Sequence, residues 1–287
     1  MHARPGMERI TAPMTKQLYA SRHTGRGHLQ QPWYRTCAVA KTPALILFGV
    51  MASGGETRSS STFATILLVS LLWLGLYELN EISDIACEQA RSVPLWRWSS
   101  VSLWTLGLCI AAYSLSTGLG TICTLMLVGQ YLYSLPLLRM KRLWWYVVVV
   151  SGITNPLLRV ACGAIHGQHS ISPIAWATVV ALHLGAALRT RTLQSSRDRE
   201  LGYSTVPSLA ACSMGVASCA IGLIGICVLT VIGVLPLWGF ALAVMGGWVT
   251  ALVWSPHRKD MDTLRKRGWL ALAAALMILS IMLGTGH

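Results

Sequence analysis

The sequence predicts an all-α, polytopic membrane protein, and two observations carry that prediction. Of the 287 residues, 54% are hydrophobic and only 11% are charged, whereas about a quarter of the residues in soluble globular domains are charged. The hydrophobic residues also form runs of about 20 residues, which is the length that a helix needs to cross ~30 Å of hydrocarbon. This composition excludes an ordinary soluble domain and a disordered or fibrous chain.

The hydrophobic runs divide the chain into about nine predicted membrane spans. These spans are 40–53, 62–82, 99–117, 119–138, 144–165, 171–190, 208–230, 233–254 and 268–286. We expect residues 1–35 to form a basic cytoplasmic N-terminal segment and residues 36–287 to form a single transmembrane domain. The eight cysteines lie mostly inside hydrophobic runs and form no CxxC pair, which indicates small buried side chains.

Lysine and arginine are concentrated in alternate connectors between the predicted spans. Of the 23 such residues, 21 precede or begin the first span or follow the second, fourth, sixth and eighth spans. The positive-inside rule places these connectors, and the N-terminus, in the cytoplasm. Topology thus accounts for most of the formal net charge of +13, and we expect the partner to be the lipid bilayer and not nucleic acid.

Acidic residues cluster at the cytoplasmic end of the second predicted span. Four of the ten acids in the chain fall within residues 78–88. Asn80, Asp84 and Glu88 are spaced four apart, so on a helix they lie along one face with neighbours ~5–6 Å apart. A row of oxygen ligands suits Mg²⁺, whose remaining positions water and substrate phosphate fill. The alternative is a solvated helix end that pairs with nearby arginines.

Two further polar segments lie on the same predicted side of the membrane. Residues 133–141, after the fourth span, read Tyr-Ser-Leu-Pro-Leu-Leu-Arg-Met-Lys, and their basic end is also typical of a topology anchor. Residues 198–207, after the sixth span, read Asp-Arg-Glu-Leu-Gly-Tyr-Ser-Thr-Val-Pro. That segment is too long and too polar for a plain connector.

Together these three segments resemble the motifs of the UbiA superfamily of intramembrane prenyltransferases. Residues 80–88 resemble the first motif, Asn-Asp-x-x-Asp-x-x-x-Asp, with two aspartates replaced by glutamate. Residues 133–141 match Tyr-Ser-x-Pro-x-x-Arg-x-Lys, and residues 198–207 are similar to Asp-Arg-x-x-Gly-x-x-Thr-x-Pro. The resemblance implies a UbiA-like bundle of about nine transmembrane helices around a cavity that opens to lipid.

The resemblance also implies a Mg²⁺-dependent reaction of an isoprenyl diphosphate of geranyl to geranylgeranyl length or longer. It implies that Asn80, Asp84 and Glu88 bind diphosphate-bound Mg²⁺ and that Asp198 binds a second Mg²⁺, with Asp84 and Asp198 as catalytic residues. The residues expected to contact diphosphate oxygens are Arg139, Lys141, Lys41 and Arg197. Further candidates for the site are Glu81, Gln194, Tyr133, Asn155 and Arg159.

Arg159 lies in the middle of the fifth predicted span, beside Asn155 and Pro156. A charge in this position is costly, so its side chain should face the interior of the bundle. There it would either line the cavity or bind a structural partner, such as the carbonyl groups that Pro156 leaves without a donor.

The second motif departs from the family pattern. The family places aspartates four and eight residues before the position of Asp198, where this chain has Gln194 and Thr190 among several arginines. Guanidinium groups suit diphosphate and could replace a second Mg²⁺. We expect a prenyltransferase with a lipophilic acceptor, quinone-type aromatic or otherwise. The alternatives are a UbiA-type terpene cyclase that needs no acceptor and a non-catalytic membrane protein or transporter with a degenerate site.

Overall fold

The structure is a computed structural model that describes residues 31–88, 92–135 and 140–235. These residues form eight α-helices and, within those ranges, no strand, so the all-α prediction is confirmed for them. The helices are α1 Gln31–Ala52, α2 Ser60–Glu88, α3 Leu95–Leu115, α4 Thr117–Ser134, α5 Trp144–Val149, α6 Asn155–Ala164, α7 Pro173–Glu200 and α8 Ser208–Val231. A π-helix, Val150–Thr154, joins α5 to α6, and a 3₁₀ turn, Met140–Arg142, precedes α5.

Within the described residues, four helical stretches are long and apolar enough to cross a membrane. They are Ser60–Ala86, Leu95–Leu115, Trp144–Ala164 and Ala210–Val231. Helices α1, α4 and α7 coincide with three more of the predicted spans. Most of predicted span 233–254 and all of 268–286 lie outside the described residues, so the number of nine spans stays a prediction.

Several helix ends differ from the predicted span ends. Helices α2 and α7 continue to Glu88 and Glu200, well past the predicted span ends at 82 and 190. The predicted spans follow the hydrophobic runs alone, whereas each helix continues through the polar residues beyond its run. Helix α4 ends at Ser134 and not at 138, since Leu135 takes the extended conformation that a following proline favours. The acidic row of the second span therefore lies on a helix, as its spacing required.

Helix α2 lies at the centre of the described bundle. Leu72, Leu76 and Leu79 are fully buried on it, and the core around it draws residues from α1, α3, α4 and α6. Outward-facing Leu103 and Ile110 of α3 are, in contrast, 70% and 62% exposed. Such large exposed apolar side chains are typical of a surface that faces lipid.

Helices α1 and α6 run parallel and touch through their backbones. A Cβ added at Gly163 would lie 1.9 Å from the Ile46 carbonyl oxygen, so only glycine allows this approach. The segments 46–50 and 160–164 thus face each other, and further along both helices Ser53 lies against Gly167. This order of contacts fixes the parallel direction of the two helices.

His166 lies at the end of the bundle opposite the acidic motifs. Its Nε2 lies 2.9 Å from the Thr65 hydroxyl of α2. Partial burial lowers the pKa of His166 below its ordinary value near 6.5. The unfolded chain therefore binds this proton more readily than the folded one, and stability falls as the pH drops from about 6.5 through the lower folded-state pKa.

Replacing His166 with glutamine is expected to remove part of this acid sensitivity, because glutamine keeps a polar group near Thr65 without titrating. The measurement is the thermal unfolding midpoint in detergent between about pH 7.5 and about pH 5. His169→Gln, in the same loop but exposed, is the matched control. An unchanged pH slope in the His166 variant would contradict the assignment.

Candidate functional site

The acidic row of the first motif lies at the C-terminal end of α2. Asn80 and Asp84 are one helical turn apart, and Asn80 Nδ2 donates a hydrogen bond of 3.3 Å to Asp84 Oδ2. Glu88 follows one turn later on the same helix, although its side chain is not among those described. Glu81, beside Asn80, is half-buried. The amide and the carboxylate of the predicted metal site are therefore in direct contact.

Two polar side chains of α4 hold Asn80 from the other side. The Ser134 hydroxyl donates to Asn80 Oδ1 at 3.3 Å, and Gln130 Nε2 donates to the Ser134 hydroxyl at 2.8 Å. The Ser83 hydroxyl of α2 donates to the Ser134 carbonyl, where α4 ends. Gln130 was not among the predicted site residues, although it is an amide in an apolar run, four residues before Ser134 of the second polar segment.

Lys141 completes the network from the 3₁₀ turn. Its ammonium group forms an ion pair with Asp84 Oδ1, and the lysine side chain is only 6% exposed. Asp84 itself keeps 31% of its side-chain surface exposed. Each of its two oxygens is thus held by a donor of this chain while the carboxylate stays accessible to a ligand.

The second acidic motif forms an internal ion pair near the end of α7. Asp198 is buried, and Arg191 Nη1, two turns earlier, donates to Asp198 Oδ2 at 3.3 Å. The Thr190 hydroxyl donates to a backbone carbonyl of its own helix at 2.9 Å. Gln194 and Arg197 lie between these positions on α7, but their side chains are not described. Arg191 was not among the predicted site residues, although its spacing from Asp198 places both on one helix face.

The loop after α7 connects the second motif to the turn that carries Lys141. Tyr203 N donates to the Asp198 carbonyl at 2.7 Å, at the end of the helix. The next residue, Ser204, donates to the Arg142 carbonyl through its backbone N–H at 3.0 Å and its hydroxyl at 2.8 Å. All three sequence motifs therefore meet at one end of the bundle.

The other predicted site residues occupy several places. Lys41 is half-buried on α1, near the half-buried His183 ring of α7. Tyr133 and Asn155 are half-buried, at the end of α4 and the start of α6. Arg159 is buried inside the bundle. Arg139 lies outside the described residues.

The residue types of the first motif are ones that could hold a single Mg²⁺. Asn80, Asp84 and Glu88 follow one another at intervals of four residues on α2, and amide and carboxylate oxygens are ligands that Mg²⁺ accepts together with water and phosphate. Asp198 is the poorer candidate for a cation, since it pairs with Arg191 and its side chain is only 8% exposed, whereas Asp84 keeps 31% of its side-chain surface exposed beside Lys141. Within the described ranges, no three side chains of His, Cys, Asp or Glu come together.

Solved structures share this architecture. A UbiA homolog from Archaeoglobus fulgidus bound to DMAPP and Mg²⁺ superposes with a TM-score of 0.65 at 11% identity, covering 89% of this chain and 99% of that one. The chain has the UbiA fold. The apo UbiA homolog from Aeropyrum pernix K1 gives a TM-score of 0.62 at 15% identity, with 85% and 97% coverage. A digeranylgeranylglyceryl phosphate synthase gives 0.59 at 12% identity, with 88% and 96% coverage.

No protein-family model matches the sequence, and no curated protein matches it either. At identities of 11% and 15%, the structural similarity establishes the UbiA fold and nothing finer. The resemblance inferred from the three motifs is confirmed at that level. The UbiA fold and the four membrane-length helices together identify an integral, multi-pass membrane protein.

Proposed function

We propose that this UbiA-type protein is a Mg²⁺-dependent intramembrane prenyltransferase that ionises an isoprenyl diphosphate and transfers the prenyl group to a lipophilic acceptor. The observation that carries this proposal is the network of Asn80, Asp84 and Lys141, in which groups from two separate motifs converge. Structures of the Archaeoglobus fulgidus homolog hold Mg²⁺ with DMAPP or with GPP, which supports the same class of donor here. The positive-inside rule favours a cytoplasmic position for the site.

The proposed reaction breaks the bond between C1 of the prenyl group and the diphosphate oxygen, which keeps the electron pair. A nucleophilic carbon or oxygen of the acceptor then bonds to C1 and loses a proton to water. When bound by Asn80, Asp84 and Glu88, Mg²⁺ would supply positive charge against the developing charge of the leaving diphosphate. Lys141 and Arg139 supply further positive charge from the chain itself.

The contacts within the chain prepare this site before any ligand binds. Lys141 fixes one oxygen of Asp84 and Asn80 fixes the other, while Ser134 and Gln130 fix the amide of Asn80. Preoriented charges lose little free energy to reorganisation when charge develops on the substrate. Ser134 and Gln130 are therefore proposed as positioning residues.

At the second motif we propose that Arg191, held by Asp198, binds diphosphate oxygens. A guanidinium group offers several N–H donors in a planar fork that matches diphosphate. Asp198 as the ligand of a second Mg²⁺ stays a prediction. A cation that displaced the arginine would break the ion pair between the buried Asp198 carboxylate and the Arg191 guanidinium, whose side chain is 14% exposed.

Replacing Arg191 with glutamine is expected to raise the KM for the donor about tenfold, because a charge-assisted hydrogen bond to diphosphate is lost. The KM of Arg191→Lys should fall between that of the native chain and that of Arg191→Gln, because lysine keeps the positive charge but lacks the planar set of N–H donors. The measurement is the initial rate of diphosphate release against donor concentration. Arg199→Gln, an exposed arginine bonded to the Ser195 carbonyl, is the control. An unchanged KM in Arg191→Gln would remove Arg191 from the donor site.

The proposed function is tested with the purified full chain in detergent or liposomes. Geranyl, farnesyl and geranylgeranyl diphosphates are supplied with Mg²⁺, with and without hydroxylated aromatic acceptors, and both diphosphate and organic products are measured. We expect Mg²⁺-dependent diphosphate release and a prenylated acceptor. A cyclic hydrocarbon formed without acceptor would assign the protein to the terpene cyclases, and no release from any donor would show that the site is not catalytic.

A further inference from the structure

A buried arginine lies in the middle of the bundle, away from the acidic motifs. Arg159 of α6 is 4% exposed, and its guanidinium carbon lies 3.6 Å from the ring centroid of Trp73 on α2. Tyr77, one turn along α2, presents its hydroxyl to the same guanidinium. Stacking on an aromatic face stabilises a cation, but it uses only one face of the guanidinium plane and none of its N–H donors.

Three polar atoms around this position are buried and have no hydrogen-bond partner within the described part of the chain. They are Arg159 Nε, Trp73 Nε1 and Thr42 Oγ1, and Trp73 and Thr42 are 2% and 0% exposed. A buried donor without an acceptor costs free energy in any protein. An ionisable side chain inside a membrane bundle is costly, and unpaired donors beside one indicate a candidate binding site.

Thr42 and Arg159 lie at similar heights along the axes of α1 and α6. Helices α1 and α6 run parallel with residues 46–50 against residues 160–164, so Thr42 lies within about one turn of Arg159. Side chains of an α-helix tilt toward its N-terminus, which brings the long Arg159 side chain toward the level of Thr42. Thr42, Trp73 and Arg159 are referred to below as the Arg159 cluster.

The surroundings of the Arg159 cluster are positively charged. Arg159 and Lys41 both lie near the half-buried His183 ring of α7. Three acids of the described ranges form ion pairs elsewhere: Asp84 with Lys141, Asp198 with Arg191, and Glu78 with Arg97. Asp84 is eleven residues from Trp73 along α2, or ~16 Å at the rise of an α-helix. The Trp73 side of the Arg159 cluster is therefore well separated from Asp84.

We infer that the Arg159 cluster binds a carboxylate or phenolate oxygen of a lipophilic second substrate. A guanidinium group binds a carboxylate through two parallel hydrogen bonds, and the Trp73 and Thr42 groups add donors at the same level. This inference rests on the proposed function, because it assigns the acceptor of that reaction. Cyclisation moves the carbocation along the prenyl chain, and the fixed positive charge of Arg159 opposes its approach.

The test measures binding of 2-naphthoate to the purified full chain in detergent by isothermal titration calorimetry. We expect saturable binding of 2-naphthoate, with methyl 2-naphthoate and 2-naphthylmethylammonium binding at least about tenfold more weakly. Arg159→Met should abolish 2-naphthoate binding, and Trp73→Phe, which keeps the aromatic face, should weaken it several-fold. Arg97→Gln, a partly exposed arginine of α3, should leave it unchanged. Equal binding of the acid and its ester, or full binding by Arg159→Met, would overturn the inference.

A thermal unfolding scan separates a binding role from a structural one. Arg159→Met should unfold at the same temperature as the native chain or higher, because methionine replaces a buried charge that lacks an acidic partner among the described residues. If it instead unfolds at a much lower temperature, and Trp73→Phe binds 2-naphthoate as well as the native chain does, Arg159 is structural and the inference fails.

A final arm separates the second substrate from the donor. Inorganic pyrophosphate with Mg²⁺ should bind Arg159→Met as it binds the native chain, and it should not displace 2-naphthoate. Displacement would assign the Arg159 cluster to the diphosphate and overturn the inference. Asp84→Asn should lose pyrophosphate binding and keep 2-naphthoate binding. If Asp84→Asn keeps both while Arg159→Met loses 2-naphthoate, the proposed donor site fails and the anion site at Arg159 stands.

Discussion

Replacing Asp84 with asparagine is expected to lower the rate of diphosphate release at least about a hundredfold, which corresponds to ~2.7 kcal/mol of transition-state stabilisation. Asparagine is nearly isosteric but removes the charge that binds Mg²⁺. It also leaves the ammonium group of Lys141, which is 6% exposed, facing a neutral amide. The measurement is diphosphate release at saturating donor over a series of Mg²⁺ concentrations.

Glu78→Gln provides the matched control for this prediction. Glu78 lies six residues earlier on the same helix and pairs with Arg97 Nε at 3.1 Å, outside the Asp84 network. The same change from acid to amide should alter the rate there less than about twofold, since a partly exposed ion pair contributes little. A near-native rate in Asp84→Asn would remove the metal-binding role proposed for the first motif.

Replacing Gly163 with alanine is expected to destabilise the protein by about 1–3 kcal/mol, the usual cost of overpacking a core. The added methyl group would lie 1.9 Å from the Ile46 carbonyl oxygen and 2.8 Å from Val50 N. Both atoms belong to the backbone of α1, so relief requires a whole helix to shift. The thermal unfolding midpoint in detergent should fall accordingly.

Gly129→Ala tests the same substitution where space is available. Nothing lies within 4 Å of a Cβ built at Gly129 of α4. Alanine favours a helix over glycine by about 1 kcal/mol, so this variant should unfold at a higher temperature than the native chain. A decrease of similar size in both variants would show that the α1–α6 contact is not the cause of the Gly163 effect.

Local periodicity made much of this fold predictable from the sequence. Apolar runs of membrane length and alternating basic connectors predict helices that the structure contains, because both signals depend on the bilayer and not on which helices touch. The close approach at Gly163 was not predictable, since it depends on how α1 and α6 pack. Nothing near Gly163 in the sequence indicates that Ile46 faces it.

The candidate site was predictable in its motifs but not in its pairings. The spacing of Asn80 and Asp84 predicts a shared helix face, since neighbours four apart stack on an α-helix. That Lys141 binds Asp84, and that Gln130 supports Asn80 through Ser134, depends on the packing of α2 against α4 and the turn beyond it. Interhelical partners of this kind are set by tertiary contacts and leave no local signal.

The π-helix Val150–Thr154 determines which way the second half of its membrane span faces. Asn155 N bonds to the carbonyl of Val150, five residues earlier, so the turn contains one residue more than an α-helical turn. Each residue advances an α-helix by ~100°, and every side chain from Asn155 onward is rotated by that angle relative to an uninterrupted helix. One inserted residue thus sets the direction around the helix axis in which Arg159 points toward Trp73 and in which Gly163 faces α1. A deletion there would turn both toward other surroundings while leaving the composition of the span almost unchanged.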